Sequence, residues 1–167
     1  DRFLFEINVS NPEQLEHRKA LIFDSKFHDV DSLLSTLSEP LLDYSELNNL
    51  DRDVQQAVFV SDEIENYIIR IWDATWKPHE FGIEIPDVFM EDLVVAGASV
   101  RGMSAMVRAA KVAAWLEGRD HVLPDDVHTV LFATLSHRVF LSPIYEGRRD
   151  QIMPQFIAAL RDHISAP

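Results

Sequence analysis

The run Ser99-Val100-Arg101-Gly102-Met103-Ser104-Ala105-Met106-Val107-Arg108-Ala109-Ala110-Lys111-Val112-Ala113-Ala114-Trp115-Leu116-Glu117-Gly118 decides the fold. A serine oxygen accepts the free N–H groups of a first helical turn, and glycine tolerates the left-handed backbone that ends a helix. Between these two signals Met103, Met106, Val107, Ala110, Ala113 and Ala114 recur at three- and four-residue steps, so they share one face. The small residues on that face allow a second helix to approach closely. Arg101, Arg108 and Lys111 lie seven and three residues apart, on the opposite face. Arg101 falls in the first turn, where unpaired N–H groups and the helix dipole already favour an anion. A cation there works against the dipole. Its presence points either to a bound phosphate or to a solvated arginine pairing with one of the chain's many carboxylates.

Working outward, Gly118 is followed by a turn and then Pro124-Asp125-Asp126-Val127, which opens a helix to about Ser136. A last amphipathic helix is predicted over about Asp150–Ile164, with Ile152, Phe156, Ile157, Leu160 and Ile164 inward. On the other side, Leu47, Leu50, Val54 and Val58 mark a helix from Ser45, and Ser61 caps another bearing Ile64, Tyr67, Ile68, Ile71 and Trp72. Pro78 and Gly82 break that helix. Residues 79–96 then read as a long loop or hairpin-like insertion with extended pieces at Ile83–Ile85 and Leu93–Val95. Its Phe81, Ile83, Ile85, Val88, Phe89 and Met90 are too apolar for a plain solvated loop, which favours packing onto the bundle over a partner surface.

At the front, Phe3-Leu4-Phe5-Glu6-Ile7-Asn8-Val9 reads as a strand, followed by a helix from Pro12 to about Phe23 with Asn11 as its cap. A lone strand leaves its backbone groups unpaired, so this one would need a sheet that the chain lacks. Residues 24–44 read as a connector with little regular structure. The expected fold class is therefore mainly α, a helical bundle with one leading β-strand and a small extended insertion.

The 167 residues carry 28 Asp and Glu against 15 Lys and Arg, a formal charge of −13, and no cysteine. That length suits one ordinary domain. Nucleic-acid binding needs clustered cations, so the charge argues against it. Disulfides, thiolate metal sites and a cysteine nucleophile are excluded. No apolar run approaches the ~20 residues that span a bilayer, so no membrane insertion is expected. The opening Asp1-Arg2 is not a secretory leader, and a start without Met gives the expectation of a piece of a longer protein. The seven histidines lack metal-ligand spacing, so no metal site is expected. Ten carboxylates between Asp29 and Glu65 meet only Arg52, which reads as a solvated acidic face. The chain holds neither a phosphate-binding Gly-x-x-x-x-Gly-Lys-Ser/Thr loop nor Gly-x-Gly-x-x-Gly.

Gly97-Ala98-Ser99-Val100-Arg101-Gly102, the Ala-rich helix, and Glu117-Gly118-Arg119-Asp120-His121-Val122-Leu123-Pro124-Asp125-Asp126-Val127 together resemble the helical lid domain of MoxR-type AAA+ ATPases. Those proteins typically read Gly-Ala-Ser-Pro-Arg-Ala, a helix, then Gly-Arg-Asp-Tyr-Val-Thr-Pro-Glu-Asp-Val. His137-Arg138-Val139 is similar to the His-Arg-apolar element that follows, and Asp1-Arg2-Phe3 to the tripeptide before the last strand of the ATPase core. Val100, Gly102, Trp76 and Leu123 depart from the family's usual Pro, Ala, Arg and Thr.

The resemblance implies three parts: core strand and helix at 1–24, linker at 25–44, helical lid at 45–167. It implies that Arg101, beside Ser99 and with Arg108 in support, acts as the sensor 2 arginine on nucleotide phosphates, and that Arg2 is the arginine finger reaching a neighbouring subunit. It further implies ATP and Mg²⁺ as ligands of a longer parent, a homo-oligomeric ring (a hexamer), a cytoplasmic location, and client proteins or partners with von Willebrand factor A domains. The chain alone is not expected to hydrolyse ATP. The alternative is a non-catalytic helical interaction module, docking through the acidic 29–65 region or the 79–96 insertion.

Overall fold

The computed structural model describes residues 3–37 and 43–167. They form two compact units, one holding the described residues up to Glu6 together with Leu50–Pro167, the other the described residues of Ile7–Asn49. In the smaller unit α1 spans Leu15–Phe23 and α2 spans Val30–Ser35. Helix α1 starts at Leu15 rather than Pro12, with Gln14 at its cap position and no side chain on the free N–H groups. The stretch read as an irregular connector holds α2 because the Asp29 carboxylate accepts the Ser32 N–H at 3.1 Å and opens a short helix.

The larger unit is the helical bundle, and it is mainly α as expected. Its elements are α3 (Leu47–Ala57, from Leu50 onward), α4 (Asp62–Trp76), β1 (Val94–Ala96), α5 (Val100–Leu116), α6 (Pro124–Leu135), β2 (Phe140–Leu141), α7 (Pro143–Glu146) and α8 (Arg149–His163). The expected caps hold: Ser61 Oγ accepts the Ile64 N–H, and Ser99 Oγ accepts the Gly102 N–H at 3.1 Å. Gly118, at φ 73°, closes α5 with its N–H on the Trp115 carbonyl. Leu123 has no oxygen to cap α6, and Asp126 compensates by accepting the Leu123 N–H at 2.8 Å. Burial alone would push the Asp126 carboxyl up, but the Arg119 guanidinium on both its oxygens and the Leu123 N–H hold it below the usual carboxylate range.

One core runs through the unit, with Ile71, Ala74, Met106, Ala110, Ala114, Val127, Leu135, Phe156 and Leu160 fully enclosed. Helices α5 and α6 pack most extensively, as the alanine face of α5 allows. The parallel bridge Phe59–His121 ties the α3–α4 turn to the α5–α6 turn.

Two expectations are corrected. Residues Phe3–Val9 form no strand, and no ladder among the described residues includes them; instead the Glu6 N–H donates to the Ala133 carbonyl at 2.8 Å. The 79–96 insertion is not a hairpin: Ile83–Ile85 is not a strand, and β1 pairs antiparallel with distant β2, Val94 opposite Leu141. The turn that opens β2 and the short α7 had no periodicity long enough to announce them. The insertion does pack onto its own bundle, with Ile83, Ile85 and Leu93 buried. No helix among the described residues is long and apolar enough to cross a membrane.

Between α4 and α6, the Tyr67 hydroxyl and His128 Nε2 are 2.7 Å apart, with the rings edge-on. Burial pulls the His128 imidazolium below its ordinary value of 6.5; Asp125, whose carboxylate is 3.8 Å from Nδ1, opposes this, and Arg161 reinforces it. A histidine depressed in the fold takes up its proton more readily when unfolded, so it favours folding above about pH 6.5 and loses that contribution as pH falls toward the folded value. The urea midpoint of the chain is therefore expected to drop between pH 7 and pH 5. In His128→Gln, measured by the same denaturation series, that part of the drop should shrink.

Candidate functional site at the start of the alanine helix

The backbone at Gly97 and Ala98 delivers the chain into α5, and the end of α4 holds it there. The Ala98 N–H donates to Thr75 Oγ1 at 3.1 Å, and the Ala98 carbonyl accepts both the Trp72 and the Trp76 indole N–H, at 2.7 and 3.0 Å. The Thr75 hydroxyl itself donates to the Trp72 carbonyl at 2.7 Å. This fastening fixes where α5 starts, and so where its first-turn side chains project.

Arg101 projects from that first turn into solvent, and no hydrogen bond or ion pair engages it among the described residues. It borders a concavity of about 340 Å³ whose apolar wall is made by Leu4, Phe5, Ala105, Ala109 and Val112. Arg108, Arg138 and Asp51 complete the rim. Of the basic stripe read from the sequence, Arg108 pairs with Asp51, and Lys111 Nζ donates to the Gln55 carbonyl at 2.9 Å. The Gln55 amide returns a bond to the Arg108 carbonyl at 3.2 Å. Those two cations stitch α5 to α3, whereas Arg101 does not take part.

Arg138 was not among the site residues read from the sequence, and the structure places it in the same concavity. It is 5% exposed. Its guanidinium donates to the Phe3 carbonyl, to the Leu4 carbonyl at 3.0 Å and to the Thr134 carbonyl. Burial lowers its affinity for a proton from the ordinary guanidinium value, and the carbonyls answer its N–H donors. The aliphatic stem of Arg138 crosses α5 at Gly102, where an added Cβ would lie 2.6 Å from Arg138 Cδ. The glycine that departs from the expected alanine is thus the groove through which Arg138 reaches the leading segment. The departing glycine on one helix and the arginine 36 positions later gave a signal only if read together.

Arg2 lies outside the described residues. Among the described residues no group of three or more His, Asp or Glu side chains could hold a metal ion.

A family model for the AAA lid domain matches residues 90–156, the stretch from the end of the insertion through α8's middle. The curated proteins most informative for the rest are the MoxR proteins of Methylorubrum extorquens (41% identical over all 167 residues) and Paracoccus denitrificans (40%), each covered over 49% of its own length. Chaperone MoxR1 of Mycobacterium tuberculosis is 32% identical over 94% of this chain and 38% of its own. A solved structure from Cytophaga hutchinsonii, described as a candidate ATPase, superposes with a TM-score of 0.74 over 99% of this chain and 47% of that one; at 23% identity it speaks to the fold.

Helix order, capped α5 and sequence together define an AAA lid domain. The chain belongs to the MoxR family of AAA+ proteins. It spans about half the length of the curated relatives it matches.

Replacing Gly102 by Ala sets a methyl against the stem of a clamped, buried side chain, so Arg138 must leave the Phe3 and Leu4 carbonyls or α5 must shift. Overpacking of this kind costs about 1–3 kcal/mol. Gly102→Ala should lower the thermal midpoint accordingly, and amide exchange at Glu6, the residue bonded to Ala133, should speed up as the leading segment loosens.

Proposed function

We propose that this chain is the nucleotide-sensing lid of a MoxR-type ATPase, and that Arg101 is the residue that reads the nucleotide. The observation that carries the reading is the contrast among the three guanidinium groups around the concavity: Arg108 is held by Asp51 and Arg138 by backbone carbonyls, while Arg101 keeps its donors for an incoming group. The concavity suits an adenine nucleotide in its chemistry. An apolar wall of Leu4, Phe5, Ala105, Ala109 and Val112 accepts a flat ring, and a guanidinium rim accepts phosphate oxygens by paired N–H donation.

In the whole protein, ATP bound with Mg²⁺ supplies the phosphoryl group whose hydrolysis drives the cycle. Arg101 holds a phosphate oxygen in one lid arrangement and releases it in another, so the lid is a two-state element biased by one charge contact. Arg138 transmits that bias, because it joins α6's end and α5 to the segment that follows Arg2. Arg2 is the arginine finger in this reading, presented to the nucleotide of a neighbouring copy, where it stabilises charge that develops in the transition state. The ring, which we take as a hexamer, would turn such lid motions into remodelling of client proteins or of partners carrying von Willebrand factor A domains.

Arg101→Ala tests the reading. In the whole protein, steady-state ATP hydrolysis should fall roughly 10²-fold, the scale for losing one preorganised donor to developing charge. The thermal midpoint of the 167-residue chain should not change, since Arg101 gives up no contact among its described residues. Unaltered hydrolysis would remove Arg101 from the role.

A further inference from the structure

The end of α4 and the insertion beyond it form a second surface, remote in character from the arginine-rimmed concavity. Trp72 and Trp76 stand one turn apart on α4, and their N–H edges are both spent on the Ala98 carbonyl. The Trp76 ring packs directly on the Gly97 backbone, in space that a Cβ would occupy at 2.6 Å from Trp76 Cγ. The rings are therefore held in place rather than free to reorient, yet Trp76 remains 47% exposed. Leaving so large an apolar group in water costs about 25 cal/mol per Å² of surface, which a covering partner would recover.

Trp72, Trp76 and Phe81 line a depression of about 380 Å³ together with Asp73, Glu80 and the exposed Lys77. Glu80 is engaged by Lys77 at 2.9 Å in an exposed pair, which exchanges readily for another cation. The Asp73 carboxylate has no hydrogen bond or ion pair among the described residues. The segment after the Pro78–Phe81 turn borders a groove of about 550 Å³ lined by Glu84, Glu91 and Asp92, none of them paired among the described residues, with Phe89 78% exposed on it. Lys77 is the sole lysine or arginine between Trp76 and Asp92.

We propose that this surface docks an arginine-bearing segment of another protein. The guanidinium stacks on Trp76 and turns its fork to Asp73. Charge and shape choose this occupant. Aromatic faces attract cations, strongly so when carboxylates stand beside them. A flat guanidinium serves ring and carboxylate at once, whereas an ammonium is a compact, strongly hydrated point charge. An anionic ligand would meet the carboxylates of Asp73 and Glu80 at the depression, and those of Glu84, Glu91 and Asp92 at the groove. A purely apolar segment would strip water from Asp73 without pairing it.

The test uses the full 167-residue chain and the chain's three tryptophan indole N–H signals in a ¹⁵N spectrum. The probes are N-acetyl-arginine methylamide and its uncharged citrulline counterpart. The Trp72 and Trp76 signals should shift saturably with the arginine compound while Trp115 stays still, and citrulline should bind roughly tenfold more weakly, the scale of a cation over an indole. Trp76→Arg should abolish the shift at Trp72. Because that substitution also removes a bond to Ala98, Asp73→Asn, whose carboxylate makes no hydrogen bond among the described residues and acts only through its charge on Lys77, serves as the second variant and should weaken binding several-fold. Equal binding of citrulline, a response confined to Trp115, or an Asp73→Asn chain that binds arginine as before would overturn the proposal. None of these readouts involves Arg101 or nucleotide, so failure here leaves the lid reading standing, and the reverse.

Discussion

The bundle depends on how α4 holds two consecutive residues, Gly97 and Ala98. Three side chains from one helix end converge on them: Thr75 takes the Ala98 N–H, and two tryptophans share the Ala98 carbonyl. A carbonyl has two lone pairs, so both indoles can be satisfied at a single oxygen. With both of its backbone groups paired inside the protein, this stretch has no reason to move toward solvent. The start of α5 is thereby set by the end of α4 rather than by a loop. The capping serine, the first-turn arginine and the concavity beside them inherit their positions from that one joint.

A second constraint crosses the first. Arg138 reaches the front of the chain by lying along α5 at the only kind of residue that leaves room for its stem. A buried guanidinium is costly unless its donors are used, and here backbone carbonyls use them. The front segment is consequently held by a side chain rather than by strand pairing. The apolar side of the concavity, Leu4 and Phe5 included, exists because of that hold. Residues conventionally read as structural thus shape the candidate site as much as Arg101 does.

Much of this was legible in order of periodicity. The long helices α3 to α6 and α8 showed themselves through three- and four-residue spacing, and Ser61, Ser99 and Gly118 marked their ends, because capping is local chemistry that neighbouring residues settle among themselves. The front strand was misread for a complementary reason. Phe3–Val9 has strand composition, but a strand is a relation between two segments, and β composition without an edge to pair with leaves an irregular chain. The same holds for β1 and β2, whose residues meet across more than forty positions and carry no turn signal between them. Arg138 was read only as part of a His-Arg-apolar element, and its part in the concavity was missed because its place is set by a missing methyl group on another helix.

The amino-acid order by itself determined that this is a capped, alanine-faced bundle with an arginine in the first turn of its central helix, because helix periodicity, caps and dipole act within about ten residues. Only the tertiary structure decided which cations are spent. Arg108 and Lys111 share a helix face with Arg101, yet they are consumed by Asp51 and Gln55 of α3, and Arg138 by the front carbonyls. Charge in a sequence is a count. Whether a charge remains available to a ligand depends on which groups the fold brings within hydrogen-bond reach, and that is settled by packing between segments far apart in the chain.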